Sequence, residues 1–169
     1  QLSDVPPYLS AQFALASGDY AKSKQLIDAN VDKQLTSASW QELHAYWHIA
    51  QESYLEAIAI IKPIYTQFQK RAHLQLLTQL YTTTGDVRQA TTLLADWLKK
   101  QSGDAWAVAQ LAQLAEQSGN LEQAISAYEL FKNLEHQPIF LNNLAVLYQK
   151  TGLADKAITI AKKAYKLEP

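Results

Sequence analysis

Cysteine and methionine are both absent from the 169 residues, and glycine and proline number only five each. Without cysteine there is no disulfide, no thiol nucleophile and no thiolate metal site. That absence fits either side of a bacterial inner membrane and does not choose a compartment. Without methionine, and with Gln1 first, the chain is expected to be a processed product or a piece of a longer protein. No apolar run approaches the ~18 residues that span a bilayer, and no signal-peptide pattern is seen. Membrane insertion of this segment is therefore not expected. The net charge is only −1, so there is no basic excess to hold nucleic acid or an anionic membrane. Strand signals are scarce too, with no sustained alternation and no Asn-Gly or Asp-Gly hairpin turn.

What remains is helical. Apolar residues make up 48% of the chain, and glutamine, a good uncharged helix former, occurs 18 times. The few breakers recur at regular intervals, in Gly18-Asp19-Tyr20, Gly85-Asp86-Val87, Gly119-Asn120-Leu121 and Gly152-Leu153-Ala154. A small residue follows each Gly by five positions: Ser23, Ala90, Ala124 and Ala157. Glu52-Ser53-Tyr54 with Ala57 fills the gap, giving spacings of 34, 33, 34 and 33. A period near 34 built from two helices is an α-solenoid pattern.

Each turn has a physical task. Gly takes the left-handed conformation that closes the preceding helix. Asp19, Ser53, Asp86 and Asn120 then offer side-chain oxygens to the next helix's free amides. Glu56, Gln89 and Gln123, three residues later, complete capping boxes. In the last repeat Leu153 replaces the cap, and a slightly shifted helix start is expected there. Apolar residues recur at matching offsets, as Leu77-Thr78-Tyr81, Leu111-Ala112-Ala115 and Leu144-Ala145-Tyr148 in first helices. Second helices carry Ala57-Ile61-Ile64, Ala90-Leu94-Trp97, Ala124-Tyr128-Phe131 and Ala157-Ala161-Ala164. Spacings of three and four put each set on one face. Repeat two is irregular: Leu43 and Trp47 fit the packing positions only if its turn holds one extra residue. Pro63 should bend its second helix.

At these residues the chain resembles the tetratricopeptide family, most specifically at Leu144-Ala145, Tyr148, Gly152, Ala157, Ala164 and Pro169. The bulky aromatic often found early in the first helix is replaced by Leu74, Val108 and Leu141. The resemblance implies an all-α, right-handed superhelix of about ten helices, a single array with repeats at 4–37, 38–70, 71–104, 105–137 and 138–169. A narrower resemblance lies in Asp96-Trp97-Leu98, Ala124-Ile125, Tyr128-Glu129, Leu141-Asn142-Asn143-Leu144-Ala145 and Ala164-Tyr165. These runs are similar to bacterial tetratricopeptide lipoproteins of exopolysaccharide and PEP-CTERM protein-sorting systems. A periplasmic or outer-membrane-associated location is the corresponding expectation, with a cytoplasmic adaptor as the alternative.

No catalytic motif stands out. His44, His48 and Glu52 share a helix face at four-residue spacing, but no other histidine is near in sequence, His73 and His136 lying in other repeats, and the Glu is misplaced for a zinc-protease motif. Packing and surface polarity explain them better, so no metal, cofactor or catalytic residue is expected. In the family, first helices line the concave side. The inward positions here include Gln75, Gln79, Trp106, Gln110, Gln113, Gln117, Asn142 and Asn143, an amide-rich surface with one indole. Amides both donate and accept, so they suit the main chain of an extended peptide, or the hydroxyls of a polysaccharide. Asn143 matches a family position that presents asparagine to peptide backbone; Gln110 and Leu76 stand there in earlier repeats. Family members that hold a C-terminal carboxylate use Lys and Arg where this chain has Gln, Asn, Ala and Leu, which sets that activity aside. Residues 105–137 carry a balance of −3 and residues 138–169 one of +3, either a solvated outer face or an orienting patch. The last helix, with Ala157, Ile160, Ala161 and Ala164, is expected to leave an apolar face uncovered.

Overall fold

The computed structural model describes residues 5–168. Residue 4, the expected start of the first repeat, and Pro169 lie outside them. Among the described residues there are eleven α-helices and no strand: α1 Pro7–Ala16, α2 Tyr20–Asp28, α3 Val31–Thr36, α4 Ala38–Ala50, α5 Tyr54–Phe68, α6 Arg71–Thr83, α7 Val87–Lys100, α8 Ala105–Gln117, α9 Leu121–Glu129, α10 Pro138–Lys150 and α11 Ala154–Leu167. A 3₁₀ turn, Leu134–His136, precedes α10. Two compact units divide the chain, Gln1–Gly85 and Asp86–Pro169, so the boundary falls at a turn inside the expected third repeat.

In the first unit α1 packs on α2, α2 on α4, α4 on α5 and α5 on α6. Its first core groups Ala11, Ile27, Trp40 and Leu43, with Tyr8, Leu15, Leu26 and Trp47 against them. Ile61, Ile64, Leu74 and Leu77 are also buried. In the second unit α7 packs on α8, α8 on α9, α9 on α10 and α10 on α11, burying Leu94, Val108, Leu111, Leu141, Leu144 and Leu147. Each such side chain taken out of water stabilises the fold by about 1.5–3 kcal/mol.

The turns follow one design. Gly18, Gly85, Gly119 and Gly152 all have φ between +77° and +81°. The following amide reaches back to a first-helix carbonyl: Asp19 to Ala14, Asn120 to Ala115 and Leu153 to Tyr148, each at 2.8 Å. These bonds close the helix end. Glu52 occupies the glycine position of repeat two with φ +57°, and Ser53 N still donates to His48 O at 2.9 Å. Asp19, Asp86 and Asn120 cap the next helix by accepting from Lys22 N, Gln89 N and Gln123 N. Ser53 makes no side-chain cap bond; its hydroxyl turns back to Gln51 O.

Several expectations are corrected. α11 begins at Ala154, two residues after its Gly, as in the other repeats, because the backbone bond from Leu153 sets the start without a side-chain cap. Repeat two has no extra turn residue: α4 to α5 and α6 to α7 keep the same spacing. His44 and His48 therefore stand where Leu77 and Tyr81 stand one repeat later, which is why the apolar pattern broke there. The short α3 adds a helix to the ten expected. It is attached to α2 by Gln34 Nε2 donating to Ile27 O at 2.7 Å and by Asn30 Nδ2 donating to Leu26 O at 2.8 Å. α9 ends at Glu129, so Phe131 packs from beyond the helix, against Phe140 at 5.2 Å. The uncovered apolar face expected on the last helix is seen in part: Ala164 is buried and Ala157 and Ile160 are half-buried, whereas Ala161, Ile158 and Tyr165 are exposed. As the sequence places it, Pro63 lies inside the second helix of repeat two, α5.

The small residues mark close helix approach. Ser23, Ala57, Ala90 and Ala124 are all 0% exposed. Ser23 Oγ donates to Ala11 O at 3.0 Å, joining α2 directly to α1. Ala124→Leu should therefore overpack the α8–α9 contact and cost about 1–3 kcal/mol, measured by chemical denaturation. Glu52→Gly should raise stability by about 0.5–1 kcal/mol, because the relief of a left-handed side chain exceeds glycine's entropic cost. Paired denaturation curves would show it, and a destabilised variant would contradict it.

Candidate binding surface

Helix periodicity gathers the amides. Trp106, Gln110, Gln113 and Gln117 recur along α8 at spacings of four, three and four, which makes one stripe. Trp106 and Gln110 are half-buried, whereas Gln113, Gln117 and the Asn142–Asn143 pair of α10 are exposed. In the first unit, α6 carries Gln75 half-buried and Gln79 exposed.

Between α8 and α10 a concavity of about 430 Å³ is lined by Gln113, Glu116, Asn143 and Val146, with Tyr128 of α9 in its wall. Of the eight sequence-derived residues, Gln113 and Asn143 meet here. Trp106, Gln110, Gln117 and Asn142 do not line it. Asn143 Nδ2 donates to Tyr128 Oη at 3.1 Å, so its carboxamide oxygen retains acceptor capacity. Burial pushes the Tyr128 hydroxyl upward, with Asn143 acting against it and Glu116 adding to it. The site therefore presents an amide and a neutral phenol beside Gln113. One edge is closed by an ion pair from Lys150 of α10 to Glu116 of α8. Nearby, Tyr148 donates to Glu129; burial first, then that bond, push the phenol up to about 12. These contacts engage two of the acidic residues of 105–137, so part of the charge contrast between repeats is spent on joining them.

Tyr128 and Glu116 were not among the expected site residues. Tyr128 sits at a second-helix position occupied by Ile61 and Leu94 in earlier repeats. A phenol at an apolar packing position needs a polar partner, and that was the available signal.

The first unit has its own concavity of about 440 Å³ between α1 and α4, lined by Tyr8, Gln12, Glu42 and Tyr46. Tyr8 meets Trp40 edge-on at 5.4 Å. Glu42 is held by His73 Nε2 of α6 at 2.8 Å. Neither Gln75 nor Gln79 lines it. This surface is aromatic and acidic rather than amide-rich.

His44 and His48 stack at 4.7 Å in the α4 packing positions. Burial lowers the His44 pKa, and the charges of His48 and Lys24 add to this; burial also lowers that of His48. His48 Nδ1 is buried without a hydrogen-bond partner. Beside them Trp47 Nε1 donates to Tyr20 O at 3.0 Å. Glu52 lies in the turn, and no three metal-ligating side chains converge among the described residues.

The geometry agrees with known proteins at the level of fold. A sequence model of the tetratricopeptide repeat matches residues 107–135 and 140–169, so the last two helix pairs carry tetratricopeptide repeats. No curated protein matches the chain. Among solved structures, one of MamA is 16% identical, covering 96% of this chain and 90% of that one with a TM-score of 0.67. MamA of AMB-1 is 13% identical over the same shares, with a TM-score of 0.65. YrrB, described as a TPR protein with an unusual peptide-binding site, is 16% identical over 98% of this chain and 86% of that one, with a TM-score of 0.63. The fold is thus an α-solenoid of tetratricopeptide type, a class typical of protein–protein interaction scaffolds.

The histidine pair generates a pH prediction. Both pKa values lie below the ordinary 6.5 in the folded state. The unfolded chain therefore takes up protons first as pH falls. Stability from this source is full above the unfolded value and is lost as pH falls through the folded values. The melting temperature should drop between pH 7 and pH 5, and the double variant His44→Gln, His48→Gln should flatten that drop. Calorimetry at both pH values checks it; equal slopes would remove the histidines from the account.

Proposed function

We propose that the protein is a non-catalytic scaffold that holds an extended polypeptide segment along the amide-bearing first helices α8 and α10 of the second unit. The observation that carries this is the concavity between α8 and α10, where Gln113, Asn143 and the Tyr128 hydroxyl converge. Peptide main chain needs donors and acceptors at close range, and uncharged amides supply both without the desolvation cost of a fixed charge. The peptide-binding site in YrrB's description supports the same class of partner. No helix among the described residues is long and apolar enough to cross a membrane. We place the protein in a bacterial cell-envelope assembly for polysaccharide or protein export, on the resemblance of the Asp96–Leu98 and Leu141–Ala145 runs to lipoproteins of such systems. A lipoprotein signal in the full-length reading frame would support that location, and its absence would favour an intracellular adaptor.

A random 12-residue peptide array supplies ligands for the decisive test. Binders titrated against Gln113→Ala with Asn143→Ala should lose about tenfold in affinity, the scale of one or two hydrogen bonds. Stability should change by about 1 kcal/mol or less, because both residues are exposed. Unaltered affinity, or binding only on a glycan array, would defeat the peptide assignment.

A further inference from the structure

A second site lies in the first unit, on residues that the α8–α10 concavity does not use. The concavity of about 440 Å³ between α1 and α4 occupies the same register in its repeats as the amide-lined one in the second unit. Counted back from the left-handed turn residue, Gln12 of α1 corresponds to Gln113 of α8, and Tyr46 of α4 to Val146 of α10. The charges differ. In the second unit the carboxylate at the concavity, Glu116, is closed off by Lys150. In the first unit Leu15 and Ala50 stand at those two positions, and the carboxylate is supplied by Glu42 instead.

Glu42 has one hydrogen-bond partner among the described residues, His73 Nε2 of α6, which holds Oε1 at 2.8 Å. That bond orients the carboxylate and leaves Oε2 without a partner, on a side chain that stays 30% exposed. No lysine or arginine among the described residues forms an ion pair with it. α1 carries no charged side chain, and Glu42 is the sole carboxylate of α4. His44, also on α4, meets the charges of Lys24 and Asp28 of α2 and does not line this concavity. Tyr8 and Tyr46 do line it. Burial first, then the charge of Glu42 and that of Tyr8, push the Tyr46 hydroxyl up, so both groups lie within electrostatic reach of that phenol.

We propose that this concavity receives one basic side chain, arginine or lysine, of a partner polypeptide. The cation reaches Glu42 Oε2 in a charge-assisted hydrogen bond. Its methylene stem lies along the apolar lining, and the tyrosine rings attract its positive charge. Gln12 offers a carboxamide oxygen as a second acceptor. Where Lys150 of the chain itself closes the carboxylate in the second unit, here the ligand brings the cation. The class of partner rests on the polypeptide-binding reading above, whereas the residues are separate from those that carry it.

The test is an NMR titration of the full 169-residue chain with the capped peptide Ser-Ala-Arg-Ala-Ser and its counterparts with lysine or citrulline at the centre. The arginine and lysine peptides should shift the amides of Gln12, Ala16, Glu42 and Tyr46. The citrulline peptide, alike in shape but uncharged, should bind about tenfold more weakly than the arginine peptide. Glu42→Gln should cost the arginine peptide about tenfold, the scale of one charge-assisted hydrogen bond. Gln12→Lys, at an exposed position, brings a resident cation to the concavity without touching the His73 bond and should abolish the shifts. Gln113→Ala with Asn143→Ala should leave this binding unchanged, so failure here and failure of the amide site are read separately. Equal binding of the citrulline peptide, undiminished binding by Gln12→Lys, shifts confined to the second unit, no shifts at millimolar arginine peptide, or binding of spermidine but not of the peptide would each overturn the proposal.

Discussion

Everything in this fold depends on how closely two helices can approach after a turn that leaves no slack. The left-handed residue at Gly18, Glu52, Gly85, Gly119 or Gly152 reverses the chain. Within two turns of the next helix a small side chain must then meet the preceding one. Ser23, Ala57 and Ala124 are wholly buried there, and only that lack of bulk lets Ile27, Ile61 or Tyr128 reach the shared core one turn on. The spacing of 33 or 34 residues follows from this geometry. A longer or shorter unit would move the small residue away from the contact.

The same constraint disposes the polar residues. Once one stripe of each first helix is committed to packing, the adjoining stripe faces water, and its chemistry is free to differ between repeats. In α8 and α10 that stripe holds amides around a buried phenol; in α1 and α4 it holds aromatics and Glu42. One repeating plan thus carries two surfaces of different chemistry. The contacts from Lys150 to Glu116 and from Tyr148 to Glu129 link residues one repeat or half a repeat apart. Charges that look like a surface patch in the sequence thus also serve to join neighbouring repeats.

Repeat two shows how far the plan tolerates substitution. His44 and His48 replace an aliphatic and an aromatic residue at packing positions, and burial lowers both pKa values, which favours the neutral rings. Trp47, fixed through its indole to Tyr20 O, and Trp40 with Leu43 supply apolar area to the neighbouring core. Glu52 holds the turn without glycine. The repeat keeps its length while its side chains diverge, because backbone hydrogen bonds rather than side chains define the turn.

The sequence by itself determined the helical class, the period, the turn positions and the buried small residues, because these follow from local rules: which residues accept positive φ, which cap a helix and which recur on one face. It also placed the amides on first helices. Only tertiary structure decided which amides meet. Gln113 and Asn143 converge with Tyr128 because α8, α9 and α10 pack together, whereas Gln110, on the same stripe of α8, does not reach that wall. The setting of Glu42 was equally hidden. α4 and α6 bring it to His73, and among the described residues no lysine or arginine pairs with it. Contacts between helices that are not consecutive have no one-dimensional signature.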